Sequence, residues 1–478
     1  MCSCTSLSCA GTGSKEQLYA NIGTKKSKWG KMKAFAFSAR YGIIHKTMTI
    51  GETVKLQKIC VLGLGYIGLP TASTFASHGL QVTGVDVNPH IVERLQHGEI
   101  HIFEPGLRDM VQVALQSGRL VIHAQPEQAD AFIIAVPTPF KEDKKADLAF
   151  VESAAASIVP YLQKGNLVVL ESTSPPLTTA NVVAPILEKS GLKAGKDFML
   201  AYSPERVLPG QILRELIENA RVIGGIDQAS AEAGRDLYRT FVKGDIILTD
   251  ATTAEMVKLM ENTYRDVNIG IANEFSRLAD RFGVDVWEAI QIANLHPRVN
   301  ILNPGPGVGG HCISVDPWFF VEAAPDITPL ILNARRVNDG QPEFVMRLIE
   351  RALDGKLAGK TVAVLGLAYK PDVDDMRESP AVEIAHLLSK AGCKVQAFDP
   401  FAAGTSVQDI PVQPTLEAAI SNADAVALLV AHQEFKTLTA DELKKVNAQA
   451  VLIDTVNVWP ADAFKSAGYR FFRLGVGK

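Results

Sequence analysis

The chain has 478 residues, 47% hydrophobic and 21% charged, which excludes an extended disordered protein and implies about three domains. Apolar runs such as Ala425–Ala431 are too short to span a bilayer, and six unevenly placed cysteines exclude a disulfide framework. The net charge of −4 divides into +7 over residues 1–47 and −11 over the rest, and so acidic a body is a poor partner for nucleic acid.

Residues 1–57 read as a basic tail without regular structure. Seven Lys, one Arg and one Glu precede Met48, together with Cys2, Cys4 and Cys9. No continuous apolar core follows the basic residues, so a secretory signal fails. A transit peptide fits poorly, because Lys stands where Arg is favoured. A third reading is a translation start placed upstream, since Met48 lies just before the first credible strand. Cys2 and Cys4 lack the second pair that a zinc site requires, and no metal is expected.

A buried-strand run, Lys58-Ile-Cys-Val-Leu62, leads directly into Gly63-Leu-Gly65-Tyr66-Ile67-Gly68 and a helical stretch from Leu69 to Ser77. The next strand, Val82–Asp86, ends in an acid. This is the dinucleotide fingerprint in its proper context. Gly63 makes the tight turn, Gly65 lets a pyrophosphate approach the backbone, and Gly68 lets helix pack on strand. Asp86 can bond a ribose hydroxyl and repel a 2′-phosphate, which favours NAD over NADP. The alternative is an ordinary strand–helix turn.

Further strands run into polar loops: Ala131–Val136 into Thr138, Leu167–Leu170 into Glu171-Ser-Thr173, and Met199–Tyr202 into Ser203-Pro-Glu205-Arg206. If the sheet is parallel, Thr138, Thr173 and Glu205 project towards one crevice, where ligands of open α/β sheets bind. Strand capping would explain them equally well.

Thr252 to Phe282 has helical periodicity, long enough to tie two domains together and form a dimer seam. Lys258 and Asn262 share a face, with Arg265 a turn further on; the pair can hold a hydroxyl or oxyanion, or be a solvated stripe. Residues 304–318 then read PGPGVGGHCISVDPW, with four glycines ahead of Cys312. Such a loop can aim backbone N–H groups at an oxyanion. Cys312 is either a nucleophile or a small buried hydrophobe, and Asp316 flanks it if a helix begins there.

Thr361–Pro371 (TVAVLGLAYKP) repeats the strand and Gly turn, and Lys394–Asp399 again ends in an acid. Ala368 replaces the middle glycine and the third is gone, while Lys370 brings a charge to the turn. A substrate's nucleotide fits this better than a full dinucleotide; a degenerate structural copy is the alternative.

Together, GLGYIG, AVPTP, ESTSP, YSPERVLPG, EMVKLMENTYRDVNI, HPRVNILNPGPGVGGHCISVDPWF and GLAYKPDVDDMRESP resemble the nucleotide-sugar 6-dehydrogenases, from about Lys58 to Trp459. The VGGHCISVDPWF and HPRVNIL forms are most similar to the branch acting on UDP-N-acetyl-D-mannosamine. The resemblance implies a twofold oxidation of a primary alcohol to a carboxylate by NAD⁺, for polysaccharide precursors. It implies Cys312 as nucleophile, Lys258 with Asn262 as acid/base and oxyanion partner, and Asp316, Glu205 and Thr173 handling water and protons. Gly63, Gly65, Tyr66, Ile67, Gly68, Asp86, Thr138, Thr173 and Arg377 match the NAD contacts. Arg206, Val207, Lys258, Asn262, Arg265, His296, Arg298, Gly307, Tyr369 and Lys370 match the UDP-sugar contacts, Arg298 reaching into a neighbouring subunit. The sequence departs where the family often has an arginine after a tryptophan: Pro460 follows Trp459.

The expectation is an α/β protein of two Rossmann-like doubly wound domains joined by a long central helix. Its divisions are an NAD-binding domain over residues 58–250, a central dimerisation segment with the cysteine loop over 251–340, and a UDP-sugar-binding domain over 341–478. It would be a cytoplasmic homodimer or higher homo-oligomer, binding neither nucleic acid nor membrane. Two rivals stay open: a β-hydroxyacid type making a single oxidation, and a non-catalytic NAD-binding protein.

Overall fold

In the computed structural model, residues 56–477 are described apart from 142 and 209, so the tail expected over residues 1–57 lies almost wholly outside the described residues. The strands of the first sheet are short aliphatic runs rather than alternating ones, as strands covered on both faces require. They are β1 (Lys58–Leu62), β2 (Gln81–Val85), β3 (Leu120–His123), β4 (Ala131–Ile134), β5 (Leu167–Leu170), β6 (Met199–Tyr202), β7 (Arg221–Gly225) and β8 (Ile246–Asp250). Their order is β3-β2-β1-β4-β5-β6-β7-β8, parallel except where β6 meets β7. Successive side chains of β1 feed opposite cores, Ile59 and Val61 packing with Phe75, Cys60 and Leu62 with Phe132. Cys60 is thereby a core residue, its thiol pushed up to about 12 by burial. The strand order reverses between β1 and β4, the switch point at which such sheets bind dinucleotides.

Asp250, at the end of β8, caps the long helix Ala251–Phe282 by accepting the Thr253 N–H at 2.8 Å, and Gly283 at φ 73° ends it. Buried acids tie this helix to its surroundings. Glu255 accepts the N–H groups of Leu177 and Thr179 in the first domain, at 2.6 and 2.8 Å. Asp266 accepts from Arg335 at 2.5 Å and Asn338 at 2.8 Å on the helix Pro329–Asp339. Among the described residues, no helix is long and apolar enough to cross a membrane, and no His/Cys/Asp/Glu group could hold a metal.

The helix Gln341–Ala352 leads into the second unit and shares its core through Val345, Leu348 and Ile349. Here β9 (Thr361–Leu365), β10 (Lys394–Phe398), β13 (Ala425–Leu428), β14 (Val451–Asp454) and β15 (Phe471–Arg473) form a parallel sheet in the order β10-β9-β13-β14-β15. A small hairpin, β11 (Ser406–Val407) and β12 (Ile410–Pro411), packs on the same core through Ile410. Two parallel-strand units and the helix between them are the architecture expected from the sequence.

Candidate active site

The first glycine turn has the shape of a dinucleotide cradle. Gly63 sits at φ 89° and bonds the Val85 carbonyl at 2.8 Å. A Cβ at Gly68 would lie 1.8 Å from the Gly63 carbonyl oxygen, so only glycine lets the helix Gly68–Ser77 start here. A Cβ at Gly65 would meet nothing within 4 Å, so the space a pyrophosphate needs is open. Asp86 stands at the end of β2, half-exposed, bonding the N–H groups of Leu64 at 3.0 Å and Asn88 at 2.9 Å. These features fit NAD: open backbone at the turn, a helix N-terminus behind it, and an acid within reach of a ribose.

The cysteine loop brings together four of the residues singled out from sequence. The helix Asp316–Ala323 begins four residues after Cys312, and the Asp316 N–H bonds the Cys312 carbonyl at 2.8 Å. That turn sets Asp316 beside the long helix, where its Oδ2 accepts from Asn262 Nδ2 at 2.6 Å. Lys258, one turn earlier, is buried with them. Burial pushes Asp316 up to about 6, against the Lys258 charge and the Asn262 hydrogen bond. Burial and the Asp316 charge push the Cys312 thiol up to about 11, against Lys258 and Arg377. The resting sulfur is therefore a protonated thiol.

The second unit closes over this loop. A Cβ at Gly309 would lie 2.4 Å from the Glu378 carbonyl oxygen, and one at Gly310 would lie 2.8 Å from the Tyr369 ring. The run of glycines thus allows the loop to lie flat against Tyr369 and residues 377–380. Gly307, at φ 146°, packs on Pro380 in the same way. Burial pushes Tyr369 up to about 12, with Asp375 and the Cys312 thiol adding to it. The Lys370 ammonium lies 5.8 Å from the Tyr369 ring centroid, and burial lowers its pKa. Arg377 grips Asp375 through Nε at 2.9 Å and Nη2 at 2.7 Å. Burial raises the pKa of Tyr66, from the NAD turn, with the charges of Asp374 and Asp375 adding to it and Arg377 opposing.

Other expected residues are placed elsewhere. Thr138 Oγ1 donates to the Thr173 carbonyl at 2.5 Å, joining the ends of two strands. Glu205 belongs to a buried network: its Oε2 accepts from Arg221 Nη2 at 2.5 Å and its Oε1 from the Arg206 N–H at 2.7 Å. Arg221 also reaches Ser203 at 2.9 Å and Glu171 at 3.4 Å, and lies 4.3 Å from the Tyr238 ring centroid. Tyr238 donates to Glu171 at 2.5 Å. Burial, reinforced by Glu205 and opposed by Arg221, pushes Glu171 up to about 7. Arg206 braces the loop, donating to Glu261 on the long helix at 2.6 Å, and Val207 packs on the first core. Arg265, His296 and Arg298 are exposed.

Sequence reasoning missed His311, whose Nδ1 lies 3.0 Å from Cys312 Sγ, and Asp375, whose Oδ2 lies 3.9 Å from His311 Nε2. His311 stands beside the cysteine in the chain, so adjacency was a usable signal; Asp375 had none. The Arg221, Glu171 and Tyr238 cluster was also missed, since its members lie up to 67 positions apart. Beside Trp459 the structure places Arg473, which donates to the Trp459 carbonyl at 2.5 Å.

Sequence models of the UDP-glucose/GDP-mannose dehydrogenase family match three consecutive stretches: the NAD binding domain over residues 57–242, the central domain over 252–340 and the UDP binding domain over 363–461. A UDP-N-acetyl-D-mannosamine dehydrogenase of Methanococcus maripaludis is 46% identical over 430 residues, 88% of this chain and 98% of its own. An NDP-N-acetyl-D-galactosaminuronic acid dehydrogenase of Ralstonia solanacearum is 47% identical over 418 residues, 85% of this chain and 97% of its own. The UDP-D-ManNAc dehydrogenase structure from Pyrococcus horikoshii superposes with a TM-score of 0.82 at 42% identity, covering 88% of this chain and all of that one. With its open NAD cradle, its buried cysteine loop and these relatives over the same length, the chain belongs to the UDP-glucose/GDP-mannose dehydrogenase family and is an NAD-dependent UDP-sugar dehydrogenase.

Proposed function

We propose that the enzyme oxidises UDP-N-acetyl-D-mannosamine at C6 to the uronate in two steps through a thioester on Cys312, supplying a precursor for surface polysaccharide. The observation that carries this reading is the buried set Asp316, Asn262 and Lys258 beside a half-buried Cys312, on a glycine loop that the second unit covers. Bound NAD⁺ accepts the hydride in each oxidation. Gly63, Gly65, Tyr66, Ile67, Gly68 and Asp86 would hold it, with Thr138, Thr173 and Arg377 at its reacting end. Lys258 and Asn262 bind the C6 oxygen, and Lys258 exchanges its proton as charge develops there. Cys312 captures the aldehyde as a thiohemiacetal, which keeps a reactive carbonyl from escaping. After the second oxidation the sugar is held as a thioester. Asp316, which binds or releases a proton near pH 6, and Glu205 with Thr173 then serve the water that cleaves it.

Tyr369 and Lys370 bind the nucleotide part of the substrate, with Gly307 beside them. The substrate reading follows the relatives that carry that name at 44–46% identity over nearly their whole length. The Ralstonia relative makes a galactosaminuronate derivative the principal competitor. One side of the long helix exposes Met256, Met260, Tyr264, Ile271, Phe275, Leu278 and Phe282, a stripe at helical spacing. It is the seam of a homodimer, and exposed Arg298 and His296 serve a neighbouring subunit's substrate. A panel of UDP-N-acetylmannosamine, UDP-N-acetylgalactosamine, UDP-N-acetylglucosamine and UDP-glucose tests the reading through kcat/KM for NADH formation. The first should exceed the others; a higher value for any other sugar overturns the assignment.

A further inference from the structure

The thiol of Cys312 is pushed up to about 11, so its attack on an aldehyde requires a proton acceptor at the sulfur. Asp316 stands nearby, but its recorded side-chain contact is with Asn262. Among the described residues, the polar side-chain atom in contact with Cys312 Sγ is His311 Nδ1, at 3.0 Å. We propose that His311 is the catalytic base that takes the Cys312 proton, with Asp375 of the second unit as its positioning residue. This rests on the reading of Cys312 as nucleophile.

For Nδ1 to accept, the resting imidazole must carry its proton on Nε2. That nitrogen faces Asp375 Oδ2 at 3.9 Å, a partner suited to N–H and, later, to an imidazolium. Burial and the Arg377 charge hold His311 below its ordinary value, Lys258 adds to this, and Asp375 opposes it. These causes favour the neutral ring, the form that can accept the thiol proton. Its side chain is 42% exposed, which gives the captured proton a way out to water.

In the step itself the Sγ proton passes to Nδ1. The sulfur pair forms the bond to the aldehyde carbon while the carbonyl π pair moves to oxygen. That oxygen takes a proton from the Lys258 ammonium, giving a neutral thiohemiacetal, an imidazolium and a neutral amine. No oxidant is consumed. Asp375 is gripped by Arg377, two residues on in the same loop, so the orientation of the base depends on how the second unit covers the cysteine loop.

The test supplies the C6 aldehyde of the UDP-sugar directly to wild type, His311→Asn and Cys312→Ser, and follows NADH. Asparagine keeps a polar acceptor near sulfur but cannot take up the proton. For His311→Asn, aldehyde oxidation should fall roughly 10²-fold or more, with NAD affinity retained as evidence of folding. Added imidazole should recover part of the loss in His311→Ala. Alkylation of Cys312 by iodoacetamide in wild type should decline as pH falls through the acid side of the histidine range, and His311→Asn should lose that limb. Wild-type aldehyde turnover in His311→Asn, or a wild-type alkylation profile flat over that range, would overturn the assignment. Wild-type aldehyde oxidation by Cys312→Ser would instead overturn the nucleophile reading beneath it.

Discussion

The two nucleotide units begin alike and end differently. Gly63 and Gly366 both follow a parallel strand, both sit at φ 89°, and both bond the carbonyl at the end of the neighbouring strand at 2.8 Å. After Gly63 a helix starts within five residues, and Asp86 remains half-exposed beside open space at Gly65. After Gly366 the next helix starts only at Pro380. Asp399, the counterpart of Asp86, is fully buried and accepts from Leu367, Ala368 and Phe401 N–H groups and from His432, at 2.7 to 3.1 Å. Both acids brace their own turns through backbone N–H groups, but Asp86 stays open to a ribose while His432 and burial close off Asp399. The residues freed between Gly366 and Pro380 form a loop that carries Tyr369, Lys370, Asp375 and Arg377 to the cysteine. The same opening motif thus builds a cofactor cradle in one unit and the cover of the reaction chamber in the other.

Making the same change at both acids breaks the comparison most sharply. Asp399→Asn should lose roughly 3–5 kcal/mol of stability in chemical denaturation, because an ionised group with several donors is removed from a buried site. Asp86→Asn should cost about 1 kcal/mol, since this half-exposed acid accepts only two backbone N–H groups. Burial opposes the Asp399 charge, but His432 and the backbone N–H groups outweigh it and hold the carboxyl below the ordinary aspartate value. The stabilisation is therefore present above that ordinary value and lost as pH falls through the lower folded one; in Asp399→Asn this acid-side dependence should vanish.

The next effects concern binding. Asp86→Asn should weaken NAD roughly 10–100-fold in a titration, the loss of a charge-assisted hydrogen bond worth about 1.5–3 kcal/mol. Gly65→Ala should fold normally, since its Cβ meets nothing within 4 Å, yet bind NAD more weakly because that methyl occupies the approach of the pyrophosphate. His432→Gln should cost about 1–3 kcal/mol in stability, as the hydrogen bonds to Asp399 and from the Asp372 N–H are disturbed in a buried site. If Asp86→Asn destabilised the fold as much as Asp399→Asn, the division of roles would fail.

What was legible in the sequence was local. Gly63, Gly65, Gly68 and Asp86 lie within one strand–helix–strand unit, and their backbone demands are written in the residue types. The Cys312–Asp316 turn and the Lys258–Asn262 face were legible because helical spacing fixes them. The pairing of Asp316 with Asn262, 54 positions away, was not. Nor was the fate of Asp399, because the strand-end acid looks the same whether His432 plugs its site or a ribose does. Glu205 was placed at the crevice by its strand end and given its role by the resemblance. Its hold by Arg221, backed by Glu171 and Tyr238, depends on β7 lying antiparallel to β6, which no local pattern announces.

The central claim is that Cys312 joins two oxidations into one turnover. It is tested most directly by counting NADH per UDP-sugar consumed by wild type, with product identified by mass. Two NADH per sugar and a uronate are predicted. One NADH per sugar, with free aldehyde as product, would contradict the account.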